Sequence, residues 1–419
     1  MAGCLTALSL LTGCAGTAGA PPEDVAAAGQ TSPTPASPSG ADGVESSAPE
    51  LSAPTATRSA SITAAPSASG PAESLACVAE LPEDVRIGQT MLVTVGGTDR
   101  VRDWLRSGLI AGVLANGSLT VARAAEFRDA TEGTRYGALL AADEEGGEVQ
   151  RYRGVIGYIP SAQRQSWSMA PAQVRDLYHQ HGTALRAWGV DMVLAPVVDV
   201  GHGPAIGSRA YSDDPGTVAE YGAAAAAGLA DAGILPVLKH FPGQGRTTGD
   251  PHDGAAIGPA IDALRDVDLV PYRRILESDE VAVLVGHSIV PGWSELPSSQ
   301  EPETIDGLLR DELGFDGLVV SDALGMAGSG RSQGDALVGF LQAGGDLGIV
   351  GPGGSVEGRR AVRAALADGS LTEERVDAAA ARVLAAKGVD ACAVDSDGAP
   401  QVEVSDVPSD EPVVNPTVQ

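Results

Sequence analysis

The feature that most constrains this chain is an alternation repeated eight times between residues 91 and 367: a short apolar, β-branched run, then a longer stretch of helical character. The runs span 91–97, 110–116, 138–143, 192–199, 235–240, 282–287, 317–322 and 346–350. Helices are expected at 101–107, 120–131, 171–188, 215–232, 260–278, 303–312, 333–343 and 355–367. Each helix lets the next strand return parallel to the last, because parallel neighbours need a crossover connection. Eight such βα units predict an α/β fold, a single (β/α)8 barrel of the TIM type. A last helix, 372–387, begins with Thr372 as N-cap and with Glu373 and Glu374 where the helix dipole favours acidic groups.

The ends have another character. Residues 15–75 are almost wholly Ala, Ser, Pro, Thr and Gly, too poor in large apolar groups to offset the entropy of ordering, and predict a disordered tether. Residues 393–419 are acidic, contain Pro and predict a disordered tail, which leaves 76–392 as the folded domain. The net charge of −28 lacks the basic footprint of a nucleic-acid partner and the cationic patch that anionic lipid requires.

Residues 1–14 read as a lipoprotein signal peptide. Leu5 to Leu11 is weakly apolar, and Leu11-Thr12-Gly13-Cys14 resembles the lipobox whose cysteine becomes lipidated. No Lys or Arg precedes it, so the expected n-region is missing and the start codon is expected to lie upstream. No later segment is apolar for long enough to span a bilayer, so a lipid on Cys14 would be the only membrane anchor, on the outer face of the cytoplasmic membrane. Of the 4 cysteines, Cys4 would leave with the signal and Cys14 would carry lipid. Cys77 and Cys392 remain at the two ends of the folded region, which a closed barrel brings together, and a disulfide between them is expected in an oxidising compartment.

In a barrel of this kind the reacting groups sit at the C-terminal ends of strands. Asp143, Asp199, Lys239 with His240, His287 and Asp322 end the third to seventh runs. Lys239 stands out because Lys387 is the only other lysine, so position 239 selects a compact ammonium over a planar guanidinium. Asp322, at the end of a strongly apolar strand, is held rigidly enough to serve as a nucleophile. On the loop after the fifth run, Asp250 lies two residues before His252, and a carboxylate beside an imidazole fixes its tautomer for proton transfer. His240, Asp250, His252 and Asp322 lack the spacing of a helical zinc site, and Gly243-Gln244-Gly245 lacks a Walker pattern, so neither a metal nor another cofactor is expected.

Four segments carry a family resemblance. Lys239-His240-Phe241-Pro242-Gly243 followed by Asp250-Pro251-His252 resembles the Lys-His-Phe-Pro-Gly-His-Gly … Asp-x-His signature of the β-N-acetylglucosaminidases of glycoside hydrolase family 3. Asp143-Glu144-Glu145-Gly146-Gly147 with Val149-Gln150-Arg151 resembles the Asp-x-Glu-Gly-Gly-Arg-Val-Gln-Arg segment of that family, and residues 195–200 and 206–215 also match in order and character. The resemblance implies Asp322 as nucleophile and His252 as general acid/base oriented by Asp250. It also implies Asp143, Arg151, Arg209, Lys239 and His240 as ligands of the terminal sugar. The implied activity is exo-acting, retaining release of non-reducing terminal N-acetylglucosamine from cell-wall fragments or related glycans through a glycosyl-Asp intermediate. A monomer is expected, whose partners are a glycan and, through lipid, a membrane. Gln244 departs from the second His of the signature and Glu148 from its Arg, and Pro251 fills the variable position. Two alternatives stay open: a phosphorylase of the same fold and a non-catalytic glycan-binding envelope lipoprotein.

Overall fold

The computed structural model describes residues 71–277, 281–293 and 295–394. Cys14, most of the expected tether, the end of the expected helix 260–278 and nearly all of the acidic tail lie outside them.

Eight parallel strands close a barrel: β1 (Met91–Val95), β2 (Gly112–Ala115), β3 (Leu139–Ala142), β4 (Met192–Val193), β5 (Leu235–Phe241), β6 (Ala282–Val285), β7 (Val319–Ala323) and β8 (Leu347–Val350). Each pairs with its neighbours in sequence, and β1 closes the ring by pairing with β8 in the register Val93↔Val350. Side chains alternate across the wall, as the period of a strand requires. Leu92, Ala141, Met192, Val237, Leu284, Val320 and Ile349 form one buried cluster that fills the barrel. Their neighbours Val93, Leu140, Val193, Leu238, Val283, Val319 and Val350 pack outward against helical residues that include Phe127, Tyr178, Leu229, Tyr272 and Phe340. Both faces are therefore buried, and the runs are continuously apolar rather than alternating in sequence.

Three expectations are corrected. The fourth strand was expected over 192–199 but its ladder stops at Val193. Pro196 has no N–H to donate, and beyond Val193 the link to β5 runs through separate hydrogen bonds, such as Val237 N–H to the Ala195 carbonyl at 3.0 Å, and a bridge between Val197 and Lys239. The helix expected at 260–278 is α-helical at Ile261–Ala263, widens to a π-turn at Leu264–Asp268, and returns to α over Leu269–Ile275. Asp268 in that turn is buried and binds Arg246 of the loop after β5. Finally, a helix over Pro71–Ala79 starts inside the segment expected to be tether. It is ordered because Val78, fully buried, packs with Leu81, Tyr136 and Leu384.

Cys77 on this helix and Cys392 beyond the last helix (Glu373–Ala386) form a disulfide with Cα atoms 5.1 Å apart and a sequence separation of 315. A cross-link closing so long a loop removes much of the freedom of the unfolded chain. Cys77→Ser is expected to lower the unfolding free energy in urea by about 2–4 kcal/mol, and the wild type is expected to yield the linked Cys77–Cys392 peptide pair in non-reducing peptide mapping.

Candidate active site

The rim groups are aimed by local breaks in the barrel ladder. Along β5 the register runs Val237↔Ala282, Leu238↔Val283 and then Phe241↔Val285, so three steps on β5 face two on β6. A bulge of this kind lifts the strict alternation of sides, and both Lys239 and His240 are buried in contact with acidic partners at the mouth. Strand β7 repeats the device, from Val320↔Leu347 to Ala323↔Ile349, with Ser321 and Asp322 in the interval. There Ser321 Oγ accepts the Ile349 N–H at 3.0 Å, which gives that amide a partner inside the bulge.

The sugar-binding candidates converge. Lys239 Nζ donates to Asp143 Oδ1 at 2.9 Å and lies 2.6 Å from Glu145 Oε1. Arg209 grips Glu145 with two parallel hydrogen bonds, Nε to Oε2 at 2.7 Å and Nη2 to Oε1 at 2.8 Å. Arg209 Nη2 is also 3.3 Å from His240 Nε2, and Arg151 Nη2 is 3.6 Å from Asp143 Oδ2. All five residues expected to hold the sugar thus stand in one connected network. Burial of the Glu145 carboxyl raises its pKa, but Arg209 and Lys239 outweigh that effect and hold it well below the usual carboxylate range. The Lys239 ammonium is destabilised by burial, more than offset by Asp143 and Glu145, so its pKa is raised.

Glu145 was not among the expected site residues, although its carboxylate joins two of them. The signal was available: Asp143 and Glu145 are two apart in extended chain and so share a side. Asp199, a strand-end carboxylate in the sequence, takes on a definite role in the fold. Its Oδ2 lies 2.7 Å from His240 Nδ1 and its Oδ1 accepts the Gln244 N–H at 2.6 Å, so one buried carboxylate fixes both a ring and the start of the loop. Gln244 is 1% exposed and its Oε1 has no hydrogen-bond partner among the described residues. Glu148, the other departure, is exposed near the tip of the hairpin formed by Glu144–Gly146 and Val149–Gln150.

Asp322 is recessed, and its Oδ1 accepts the Ala323 N–H at 2.8 Å. Burial raises its pKa, yet the His240 and His287 imidazoles, that amide and Lys239 together bring it below the ordinary Asp value. His287 is fully buried between Ser299 Oγ, 2.7 Å from Nδ1, and the Ala323 carbonyl, 3.1 Å from Nε2. Burial lowers its pKa against the opposing pull of Asp322. Because a carbonyl oxygen can only accept, Nε2 carries a hydrogen that it donates to Ala323, the residue beside Asp322.

His252 stands apart, on the loop after β5, with its side chain 58% exposed. Asp250 Oδ1 lies 2.7 Å from His252 Nδ1 and accepts the His252 backbone N–H at 2.9 Å. No direct bond joins this pair to Asp322 among the described residues; burial raises the Asp250 pKa, but its hydrogen bonds from His252, with the charges of His252 and Arg209, bring it below the ordinary Asp value. No group of three or more His, Cys, Asp or Glu among the described residues is arranged to hold a metal ion.

A closed parallel barrel with carboxylates, imidazoles and a lattice of fixed polar groups at the C-terminal ends of its strands has the layout of a barrel enzyme. More narrowly, residues 83–386 match the model of the glycosyl hydrolase family 3 N terminal domain, and the chain belongs to that family. Over 222 residues it is 43% identical to beta-hexosaminidase LpqI of Mycobacterium tuberculosis, an alignment covering 50% of this chain and 57% of that protein. The chain therefore aligns with little more than half the length of that curated relative. A solved structure of M. tuberculosis LpqI matches with a TM-score of 0.72 and 35% identity over 75% of this chain and 96% of that one. A family 3 β-N-acetylglucosaminidase from a Paenibacillus species matches with a TM-score of 0.69 and 29% identity, covering 78% of this chain and 65% of that one.

Replacing Glu145 with Gln leaves the buried Lys239 and the half-buried Arg209 short of charge and is expected to destabilise the fold by about 3–5 kcal/mol near neutral pH. Because the folded pKa of Glu145 is depressed, its contribution is present above the ordinary Glu value of 4.5 and is lost as pH falls through the folded value. Urea midpoints should thus decline less steeply below pH 4.5 in Glu145→Gln than in the wild type.

Proposed function

We propose that the chain is an exo-acting, retaining β-N-acetylglucosaminidase. The observation that carries this reading is a division of labour: Asp322 is recessed at the end of β7 with its Oδ1 held by the Ala323 N–H, while a separate Asp250–His252 pair is available for proton transfer. In double displacement the Asp322 carboxylate attacks the anomeric carbon, and His252 protonates the departing glycosidic oxygen. His252, now neutral, then takes a proton from water as that water attacks the glycosyl-Asp ester. The sugar leaves with its configuration retained and Asp322 is regenerated. Asp143, Arg151, Arg209, Lys239 and His240 would hold the hydroxyl and acetamido groups. The ionic lattice fixes these donors and acceptors before substrate arrives, so little reorganisation accompanies the reaction.

The names of the relatives, beta-hexosaminidase and β-N-acetylglucosaminidase, support this activity. Terminal N-acetylglucosamine on cell-wall fragments is the proposed substrate. Export as a lipoprotein anchored through Cys14 is proposed from the lipobox, and the Cys77–Cys392 disulfide suits an oxidising compartment.

Asp322→Asn is expected to lose at least about 10³-fold in kcat on an aryl N-acetylglucosaminide, with circular dichroism unchanged. Wild-type-like turnover by that variant rejects the assignment. With wild-type enzyme, added phosphate should leave the product as free sugar, and accumulation of a glycosyl phosphate would identify a phosphorylase instead.

A further inference from the structure

The loop that carries His252 is held at both of its feet. At the start, Arg246 binds the buried Asp268 and the Gln244 N–H is anchored on Asp199. On its return, Ala256–Ile257 pairs in parallel with Ser288–Ile289, and Thr248 N–H donates to the Ile257 carbonyl at 2.9 Å. The imidazole lies between these feet, at the tip.

The tip has its own contact. Pro251 is buried although His252 and Asp253 beside it are exposed. Its carbonyl accepts the N–H of Gly328 at 2.8 Å. Gly328 lies in the single turn Ala327–Ser329 that follows the strand bearing Asp322. That turn is itself braced, since Ser329 Oγ donates to the Leu324 carbonyl at 2.9 Å and Gln300 Nε2 donates to the Ser329 carbonyl at 2.7 Å. A Cβ on Gly328 would lie 2.8 Å from the Pro251 oxygen and 3.0 and 3.1 Å from its Cβ and Cα, closer than such atoms pack. Gly328 is not among the glycines at positive φ, so its backbone is open to any L-residue. Glycine is needed there for proximity to Pro251 and not for conformation.

From this geometry we propose that the Pro251–Gly328 contact is a latch that sets the acid/base loop against the nucleophile's strand, with Gly328 a positioning residue for His252. The latch acts on the imidazole because Asp250 Oδ1 binds both the ring and the backbone N–H of His252, which ties the ring to the loop backbone beside Pro251. A shift of Pro251 therefore moves the proton donor relative to Asp322, while the ionic lattice of Lys239, Glu145 and Arg209 stays as it is. A displacement near one ångström is enough to impair proton transfer.

The proposal rests on His252 being the general acid/base, and the test separates the two. Full-length wild type, His252→Ala and Gly328→Ala are compared by kcat/KM on two substrates: an N-acetylglucosaminyl disaccharide, whose leaving group needs a proton, and a dinitrophenyl N-acetylglucosaminide, whose leaving group does not. For Gly328→Ala the disaccharide value is expected to fall about 30-fold and the dinitrophenyl value less than about 3-fold. Pro251→Gly, which loosens the tip without adding an atom, should show the same selectivity and serves if Gly328→Ala does not fold. Selective loss in His252→Ala together with no loss, or an equal loss on both substrates, in the latch variants overturns the latch alone. Absence of selective loss in His252→Ala overturns the role of His252, and the latch with it.

Discussion

The carboxylate of Glu145, buried between Lys239 and Arg209, is the interaction on which the rest of the site depends. Lys239 and Glu145 are each 3% exposed, and charges so far from water are tolerated only when every one is matched. The match requires three parts of the barrel to meet: the hairpin after β3, the turn that carries Arg209 after β4, and the bulge in β5. Asp143 adds the second carboxylate that Lys239 needs, and His240 stands against the outer edge of Arg209. Holding these parts in register fixes the direction of each polar group that a sugar would meet.

The bulges at β5 and β7 show how a barrel built for packing can present chemistry. Below the rim, alternation sends every second side chain into the barrel and the others toward the helices. At the rim that rule would send Lys239 and His240 to opposite faces. Adding one residue to each of these two strands suspends it, and the ladder then resumes at Phe241 and at Ala323. Functional residues therefore sit where backbone pairing is already interrupted, and hydrogen bonds such as Ser321 Oγ with the Ile349 N–H supply the pairing that is lost.

Much of this was legible in the sequence. The eight runs mark the eight strands because parallel strands buried on both faces must be apolar, and a helix must return the chain between them. Asp143, Lys239, His240 and Asp322 were legible as candidates because a polar residue at the end of such a run has no apolar role. Other features were not. Pro196, in plain view, cuts the fourth strand short because it cannot donate to the ladder. The ordering of Pro71–Ala79 depends on partners about 60 to 310 residues away, among them Tyr136 and Leu384, which no local composition records.

The sequence by itself determined the fold class, the order of the strands and the kind of group each strand end presents, since these follow from local periodicity and residue chemistry. Only the tertiary structure decided which carboxylate meets which cation, that Glu145 and Asp199 anchor the lattice, and that Gly328 is pressed against Pro251. Such pairings join residues far apart in the chain. Their energies depend on distance, burial and direction, which exist only once the barrel has closed.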